Sequence, residues 1–220
     1  MRPLFGLLTL LPLFCGCSSQ YSIDGNSSLS CLDGKRLYLR VPQVDTPRTR
    51  YQTIDSCEVV HGRFRFGGSS ETIVMAEVYV GNDVLMPVVL EGGQLFLQLD
   101  NYGQSVKGGP LNERLSEFLS RRSSFYNELW ELEREMRQAM FLGNESEASM
   151  ARTKAKRDEL LTKISTLEEN FVCDNAYNVL GPGYFMSLAQ ENGFPVLTDQ
   201  LRRIADRAPK GLLASPSVKR

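Results

Sequence analysis

His61 is the only histidine in the 220-residue sequence, and it could serve as a catalytic base. A serine hydrolase would need its imidazole to be oriented by a carboxylate and to face a serine hydroxyl. Asp55 and Ser56 lie close by in the sequence, but they precede a predicted turn, and no nucleophile-elbow motif surrounds Ser56. We interpret His61-Gly62 as a two-residue turn, since histidine tolerates a positive φ angle better than most residues do.

Other catalytic and cofactor patterns are missing from the sequence. One histidine and scattered cysteines lack the ligand spacing of a zinc site. The glycine pairs lie between predicted strands or before a predicted helix, and none belongs to a G-x-x-x-x-G-K or G-x-G-x-x-G phosphate-binding pattern. The net charge of −1 lacks the basic excess that nucleic-acid binding needs. We therefore expect no enzymatic activity, no cofactor and no nucleic-acid partner.

Cys17 carries the most specific chemistry, because it ends the apolar run "LTLLPLFCGC". The run is shorter than the about 20 residues of a permanent membrane span, and Arg2 precedes it. A positively charged start, a short apolar region and a small residue before the cut site are typical of a secretory signal. "LFCGC" resembles a bacterial lipobox, with Gly16 before the cut. The resemblance implies that Cys17 becomes a lipid-modified first residue.

Lipidation of Cys17 would hold the chain on a membrane, since two or more acyl chains anchor a protein stably. The alternative is an ordinary secretory signal that is cut after a small residue. Ser18 follows Cys17 in place of an aspartate, which by analogy with bacterial lipoproteins predicts the outer membrane, facing the periplasm or the cell surface. We predict a signal peptide over residues 1–16, a lipidated tether and first strand over 17–30, and a polar tether role for residues 20–30.

Three further cysteines, Cys31, Cys57 and Cys173, would remain besides Cys17 in the mature chain. The oxidising periplasm permits a Cys31–Cys57 disulfide, which could contribute about 3 kcal/mol by closing its loop. The alternative, which we favour, is that Cys57 and Cys173 are small buried apolar side chains. No C-x-x-C motif is present.

The segment 20–109 has the pattern of short strands separated by turns. "EVVHGRFRFGG" predicts a hairpin, with Phe64 and Phe66 on one face, and further turns are predicted at residues 81–83 and 91–93. Seven or eight strands at this spacing predict an antiparallel β-sandwich or an open barrel. With the helices that follow, the predicted fold class is α+β.

After Pro110 the apolar residues recur at steps of three or four, with one gap around Arg122. This stripe comprises Leu111, Leu115, Phe118, Phe125, Leu129, Leu132, Met136 and Met140. It predicts a long helix to about residue 141, and a second helix over about 145–171 would complete an antiparallel pair. We expect the stripe to pack within the chain, although a dimerising or partner-binding seam is the alternative.

Shorter elements complete the predicted helical region, residues 110–208. Helices are expected near 184–191 and 198–206, and a tail follows over 209–220. Trp130 falls beside the stripe, where we expect it to be semi-buried packing and not a ligand platform.

Three phrases, "IDSCEVVHGRFRFGG", "PVVLEGGQLFLQLD" and "SVKGGPLNERLSEF", stand in order across about 90 residues. Together they resemble the β-rich domain of unknown function that precedes a thioredoxin-like domain in envelope lipoproteins of Bacteroidota. The positions that match the family pattern are Ile54, Asp55, Ser56, Gly62, Phe64, Phe66, Leu90, Glu91, Gly92, Gly108 and Asn112. "NVLGPGYF" resembles the helical linker of that family. The resemblance implies structural roles for these residues.

The thioredoxin-like part of that resemblance does not extend to this sequence, because a tryptophan-cysteine-x-x-cysteine motif is lacking and Cys173 stands alone. We therefore expect a lipid-anchored, non-catalytic binding or scaffolding module, whose partners are the membrane and an unidentified envelope protein. The alternatives are an accessory subunit of a separate thioredoxin-like or peroxiredoxin-like oxidoreductase, and a structural lipoprotein without a specific ligand.

Overall fold

The computed structural model describes residues 19–43, 50–101, 103–142, 146–191, 198–209 and 212. The predicted signal peptide, Cys17 and most of the predicted tail lie outside these residues. The described strands are β1 (Ser19–Ser27), β2 (Arg36–Gln43), β3 (Arg50–Glu58), β4 (Arg63–Ser70), β5 (Val74–Val80), β6 (Asp83–Leu90), β7 (Gly93–Leu99) and β8 (Gln104–Lys107). The described helices are α1 (Pro110–Leu142), α2 (Glu147–Asp174), α3 (Leu180–Glu191) and α4 (Asp199–Arg207). The predicted α+β class and strand number are confirmed.

The strands form two four-stranded sheets. Sheet A has the order β4-β1-β7-β8, and sheet B has the order β3-β2-β5-β6. Alternating apolar residues of both sheets, such as Ile23, Leu39, Phe66 and Val88, are fully buried in one core. The described strand pairs are antiparallel except β1 with β7, which run parallel. The sandwich was thus predicted correctly, apart from this pair.

The segment that we expected to be a tether begins with a central strand. β1 lies between β4 and β7 and pairs with both of them, and Ile23 is completely buried. The prediction of a tether over 20–30 is wrong because every second residue of β1 faces outward and is polar, which gave the segment the composition of a linker. A lipidated Cys17 would be separated from the folded body by Ser18 alone.

The turn at His61-Gly62 is confirmed and Val60 pairs with Arg63 across it, but the strands on either side do not continue as a hairpin. His61 and Gly62 have φ angles of 50° and 72°, as a type I′ turn requires. β3 pairs with β2 in sheet B, whereas β4 pairs with β1 in sheet A, so the turn is a corner between the sheets. A Cβ at position 62 would collide with the carbonyl oxygen of Ser27, which explains the glycine there.

The two long helices pack against each other, and the stripe of α1 packs within the chain from Leu111 to Leu132, whereas Met140 at its far end is exposed. Near the sheets the stripe joins the main core through Leu115 and Phe118. Farther out, a separate small cluster contains Leu129, Leu160 and Ile164. We call this outer part, residues 125–142 and 146–164, the helical arm. Trp130 is 56% exposed on the arm, so its expected semi-burial is wrong.

Helix α3 covers the outer face of sheet B. Gly183 lies so close to Met75 of β5 that a Cβ at position 183 would crowd its side chain. The helix begins at Leu180, four residues before the predicted start, because Pro182 is compatible with a first helical turn. Within the described ranges, no helix has an apolar stretch of the length and hydropathy that a membrane crossing requires.

Candidate functional site

Glu91 joins the two halves of the fold. Its carboxylate accepts hydrogen bonds from the backbone N–H groups of Leu111 (3.2 Å) and Asn112 (2.8 Å) in the first turn of α1. The first N–H groups of a helix have no partner within the helix, and its N-terminus favours negative charge. Glu91 therefore fixes the start of α1 from a turn that is about 20 residues earlier in the sequence.

Asn112 completes this joint from the helix side and is fully buried. Its Oδ1 accepts from the backbone N–H of Val89 at 2.9 Å, while its Nδ2 donates to the Val89 carbonyl and to Glu91 Oε1, both at 2.8 Å. The Asn112 amide thus bonds both backbone groups of Val89, as a neighbouring strand would. A Cβ at Gly109 would collide with the Glu91 carboxylate, so the glycine lets helix and carboxylate meet.

Asp55 links the two sheets by a hydrogen bond, and its carboxylate is not bonded to His61 as a triad would require. Asp55 Oδ2 accepts from the backbone N–H of Gly67 in β4 at 2.9 Å, and its Oδ1 accepts from the N–H of Ser56 at 2.7 Å. The aromatic rings of Phe64 and Phe66, both in β4, pack edge to face in the main core, with their centroids 5.9 Å apart. These motif residues therefore hold the sandwich together.

The three cysteines in the described residues are free thiols, so the Cys31–Cys57 bridge is not formed. Cys31 is exposed in the short 3-10 turn over residues 30–32, whereas Cys57 packs against the main core. Burial raises the pKa of Cys57 to about 11 and also raises the pKa of Cys173. Both thiols are therefore protonated and poorly nucleophilic near neutral pH.

A buried polar cluster lies between sheet B and α3, and sequence reasoning missed it. The Glu77 carboxylate accepts hydrogen bonds from the hydroxyl groups of Tyr79 (2.6 Å) and Ser187 (2.8 Å). Burial is the main cause that raises the pKa of Tyr79 and of nearby Tyr51. The one signal in the sequence was a single charge inside the apolar strand "VMAEVYV". The cluster positions α3 on the sheet.

A second buried carboxylate, Glu168 of α2, binds three other elements. Its Oε1 accepts from Arg122 Nε at 2.7 Å and from the hydroxyl of Tyr184 at 3.1 Å, and its Oε2 accepts from Gln200 Nε2 at 2.8 Å. Arg122 occupies the gap in the apolar stripe of α1, so the gap was the available sequence signal. This network ties α1, α2, α3 and α4 together.

The outer face of sheet A carries an exposed polar array. Asp24 accepts from Arg65 Nε at 2.6 Å and from Gln94 Nε2 at 2.9 Å, and the hydrogen bonds from Gln94 and Arg65 lower its pKa. Phe96 is 50% exposed beside this array. Arg63 and Lys107 lie with it around a shallow depression of about 350 Å³.

Two basic side chains near Phe96 are available to bind an external partner. Neither Arg63 nor Lys107 forms a salt bridge with another residue in the described part of the chain. An exposed aromatic ring with unpaired basic side chains is suited to a partner that offers apolar and acidic groups together. Among the described residues, no cluster of three or more histidine, cysteine, aspartate or glutamate side chains could hold a metal ion.

Comparison with known proteins supports the resemblance seen in the motifs. Residues 21–115 match the model of a family described as a domain of unknown function (DUF4369). The matched segment begins inside β1 and ends in the first turns of α1, so it contains both the Asp55 corner and the Glu91–Asn112 joint. A search of curated proteins found no match to the chain. The association with a thioredoxin-like domain stays a prediction.

Proposed function

We propose that this chain is a lipid-anchored cell-envelope protein that acts as a non-catalytic binding module. The anchor rests on the sequence "LFCGC" at Cys17. The binding role rests mainly on one observation, the exposed Phe96 beside Lys107 in a depression that Arg63 also lines, where neither basic side chain forms a salt bridge with a described residue. A non-catalytic role is also supported by three carboxylates that could in principle act in catalysis. Asp55, Glu91 and Glu168 each accept hydrogen bonds from donors within the chain, which suits a structural role.

The anchor is tested by replacing the cysteine. Cys17→Ser should move the protein from the membrane fraction to the soluble fraction, and mass analysis of the wild-type N-terminus should show acyl chains. Cys31→Ser is the matched control, because Cys31 is an exposed free thiol that the proposal does not use. An unmodified wild-type N-terminus, or a Cys17→Ser protein that stays on the membrane, would contradict the anchor.

The binding role is tested by crosslinking in native envelopes, followed by mass spectrometry. A reproducible partner should be recovered with the wild-type chain and lost with Phe96→Ala. Val84→Ala is the control, since Val84 is 51% exposed on the opposite sheet. Failure to recover any partner would argue against a binding module and for a structural lipoprotein without a specific ligand.

The competing proposal is an accessory role beside a separate thioredoxin-like or peroxiredoxin-like oxidoreductase, which the family resemblance favours. It predicts that the recovered partner is such an enzyme and that the chain changes its rate in an insulin-reduction assay. Reduction of insulin by the isolated chain would overturn the non-catalytic proposal. We expect the isolated chain to be inactive in that assay, because the raised pKa values of Cys57 and Cys173 keep both thiols protonated near neutral pH.

A further inference from the structure

The end of the helical arm exposes apolar side chains that the rest of the described fold does not bury. Met140, Phe141 and Leu142, the last three residues of α1, are 56%, 89% and 58% exposed. Met150, in the first turns of α2, is also exposed. In the described residues, the small cluster around Leu160 is the last buried apolar contact before this end. These side chains therefore lie outside the buried clusters of the described fold.

Basic residues outnumber acidic ones in the sequence around this apolar end. We call residues 137–142 and 146–156 the arm tip. It carries Arg137, Arg152, Lys154 and Lys156 against Glu147, and Glu145 falls between its two ranges in the sequence, so the stretch 137–156 has a net charge of +2, whereas the whole chain has a net charge of −1. All four basic residues are exposed, and none forms a salt bridge within the described part of the chain.

We propose that the arm tip docks on an anionic phospholipid surface. A lipid bilayer interface accepts exposed apolar side chains into its headgroup and acyl boundary, and anionic headgroups attract nearby lysine and arginine residues. A second copy of the chain is a poorer occupant, because two identical tips would bring their basic residues together. The arm tip thus has the two properties that an anionic membrane complements.

The distance between the arm tip and the predicted anchor makes this a separate membrane contact. Ser19 lies against Gly92, next to the Glu91–Asn112 joint where α1 begins. Helix α1 has 33 residues and is about 50 Å long, so its two ends are far apart. The arm tip can therefore meet a lipid surface at a point well away from Cys17.

The test uses the chain from Ser18 to Arg220, which keeps every described residue and lacks the predicted anchor. We expect it to sediment with vesicles of phosphatidylcholine and phosphatidylglycerol but not with pure phosphatidylcholine vesicles. Added salt should weaken the binding, because salt screens exposed charges. Replacing Lys154 by glutamine should lower the affinity about fivefold, the effect of about 1 kcal/mol per basic residue at such a surface.

The apolar part is tested with the double variant Phe141→Ser and Leu142→Ser, which should lose most of the vesicle binding. Tyr177→Ser is the matched control, since Tyr177 is 82% exposed but lies outside the arm. Circular dichroism should show the same helix content for all variants. Equal binding by the double variant and the wild type, or no binding to anionic vesicles, would overturn the proposal. So would a dimer that the double variant dissociates, because a second copy would then occupy the tip.

This inference does not depend on the proposed anchor. Vesicle binding by the chain without Cys17 would stand even if mass analysis found no acyl chains. Conversely, a lipidated Cys17 would remain the anchor if the arm tip bound no vesicles.

Discussion

The two ends of helix α1 are built on opposite principles. The first turn buries polar groups, where Glu91 and Asn112 satisfy the backbone of both the helix and the sheet. The last turn exposes apolar groups, and Phe141 is the most exposed large hydrophobic side chain described. Buried polar groups are costly unless every partner is present, whereas exposed apolar groups gain nothing from the chain itself. The first end is therefore specialised for stability, and the second end is available for contact.

Asn112→Ala tests the stabilising end and should have the largest effect. It leaves the buried N–H and C=O groups of Val89 without their side-chain partner and removes one donor from Glu91. We expect a loss of about 4 kcal/mol in the free energy of unfolding, measured by urea denaturation. Asn127→Ala, an exposed position on the same helix, should change stability by less than about 0.5 kcal/mol. Similar losses in both variants would show that the joint does not stabilise the fold.

Leu160→Ala tests whether the arm and the sandwich unfold as one unit. Truncating this buried leucine should lower the free energy of unfolding by about 3 kcal/mol. Because its cluster is separate from the main core, hydrogen exchange should accelerate in the arm but not in β5. Leu161→Ala is the control, since Leu161 is 38% exposed. Equal acceleration in the arm and in β5 would show that they form one cooperative unit.

Gly62→Ala and Gly34→Ala compare two glycines with nearly the same backbone. Their φ angles are 72° and 73°. Both variants place an L side chain in the left-handed region, at a cost of about 1 kcal/mol. Only at position 62 does the new Cβ also collide with the Ser27 carbonyl oxygen, so the total loss in the free energy of unfolding should be about 2 kcal/mol for Gly62→Ala. Equal losses in thermal denaturation would show that the corner can relax.

Glu169→Gln should have the smallest effect, and that effect should depend on pH. Burial alone would raise the pKa of Glu169, but hydrogen bonds from Arg203 and Ser165 bring it below its ordinary value of 4.5. A lowered pKa in the folded state stabilises the protein above pH 4.5, and this contribution disappears as the pH falls through the folded-state pKa. The variant should melt about 2 °C lower near pH 7. The same difference at about pH 3 would contradict this explanation.

The sequence patterns predicted most of the fold because each element carries its own periodicity. Alternation in "EVVHGRFRFGG" correctly placed Phe64 and Phe66 on one face, which is buried, and the stripe after Pro110 correctly predicted α1. The pattern could not show which strands pair, since pairing depends on contacts between distant segments. For that reason the strands around His61 were predicted to pair as a hairpin, and the first strand, predicted within residues 17–30, was also given the role of a tether.

The roles of the motif residues were harder to predict than their positions. Glu91 and Asn112 were identified as family positions, but their contact requires a sheet turn and a helix start that are 21 residues apart. The buried carboxylates Glu77 and Glu168 left weaker traces, a lone charge in a strand and an arginine in an apolar stripe. Such traces show that a buried polar pair exists without showing its partner.

The position of β1 has a mechanical consequence. An anchored N-terminus would transmit any membrane tension to Ser19, at the end of a strand that is bonded on both sides. A pull along the strand axis loads the two rows of backbone hydrogen bonds in shear, so they share the force and do not open one after another. The domain would then resist extraction most strongly where it meets its attachment.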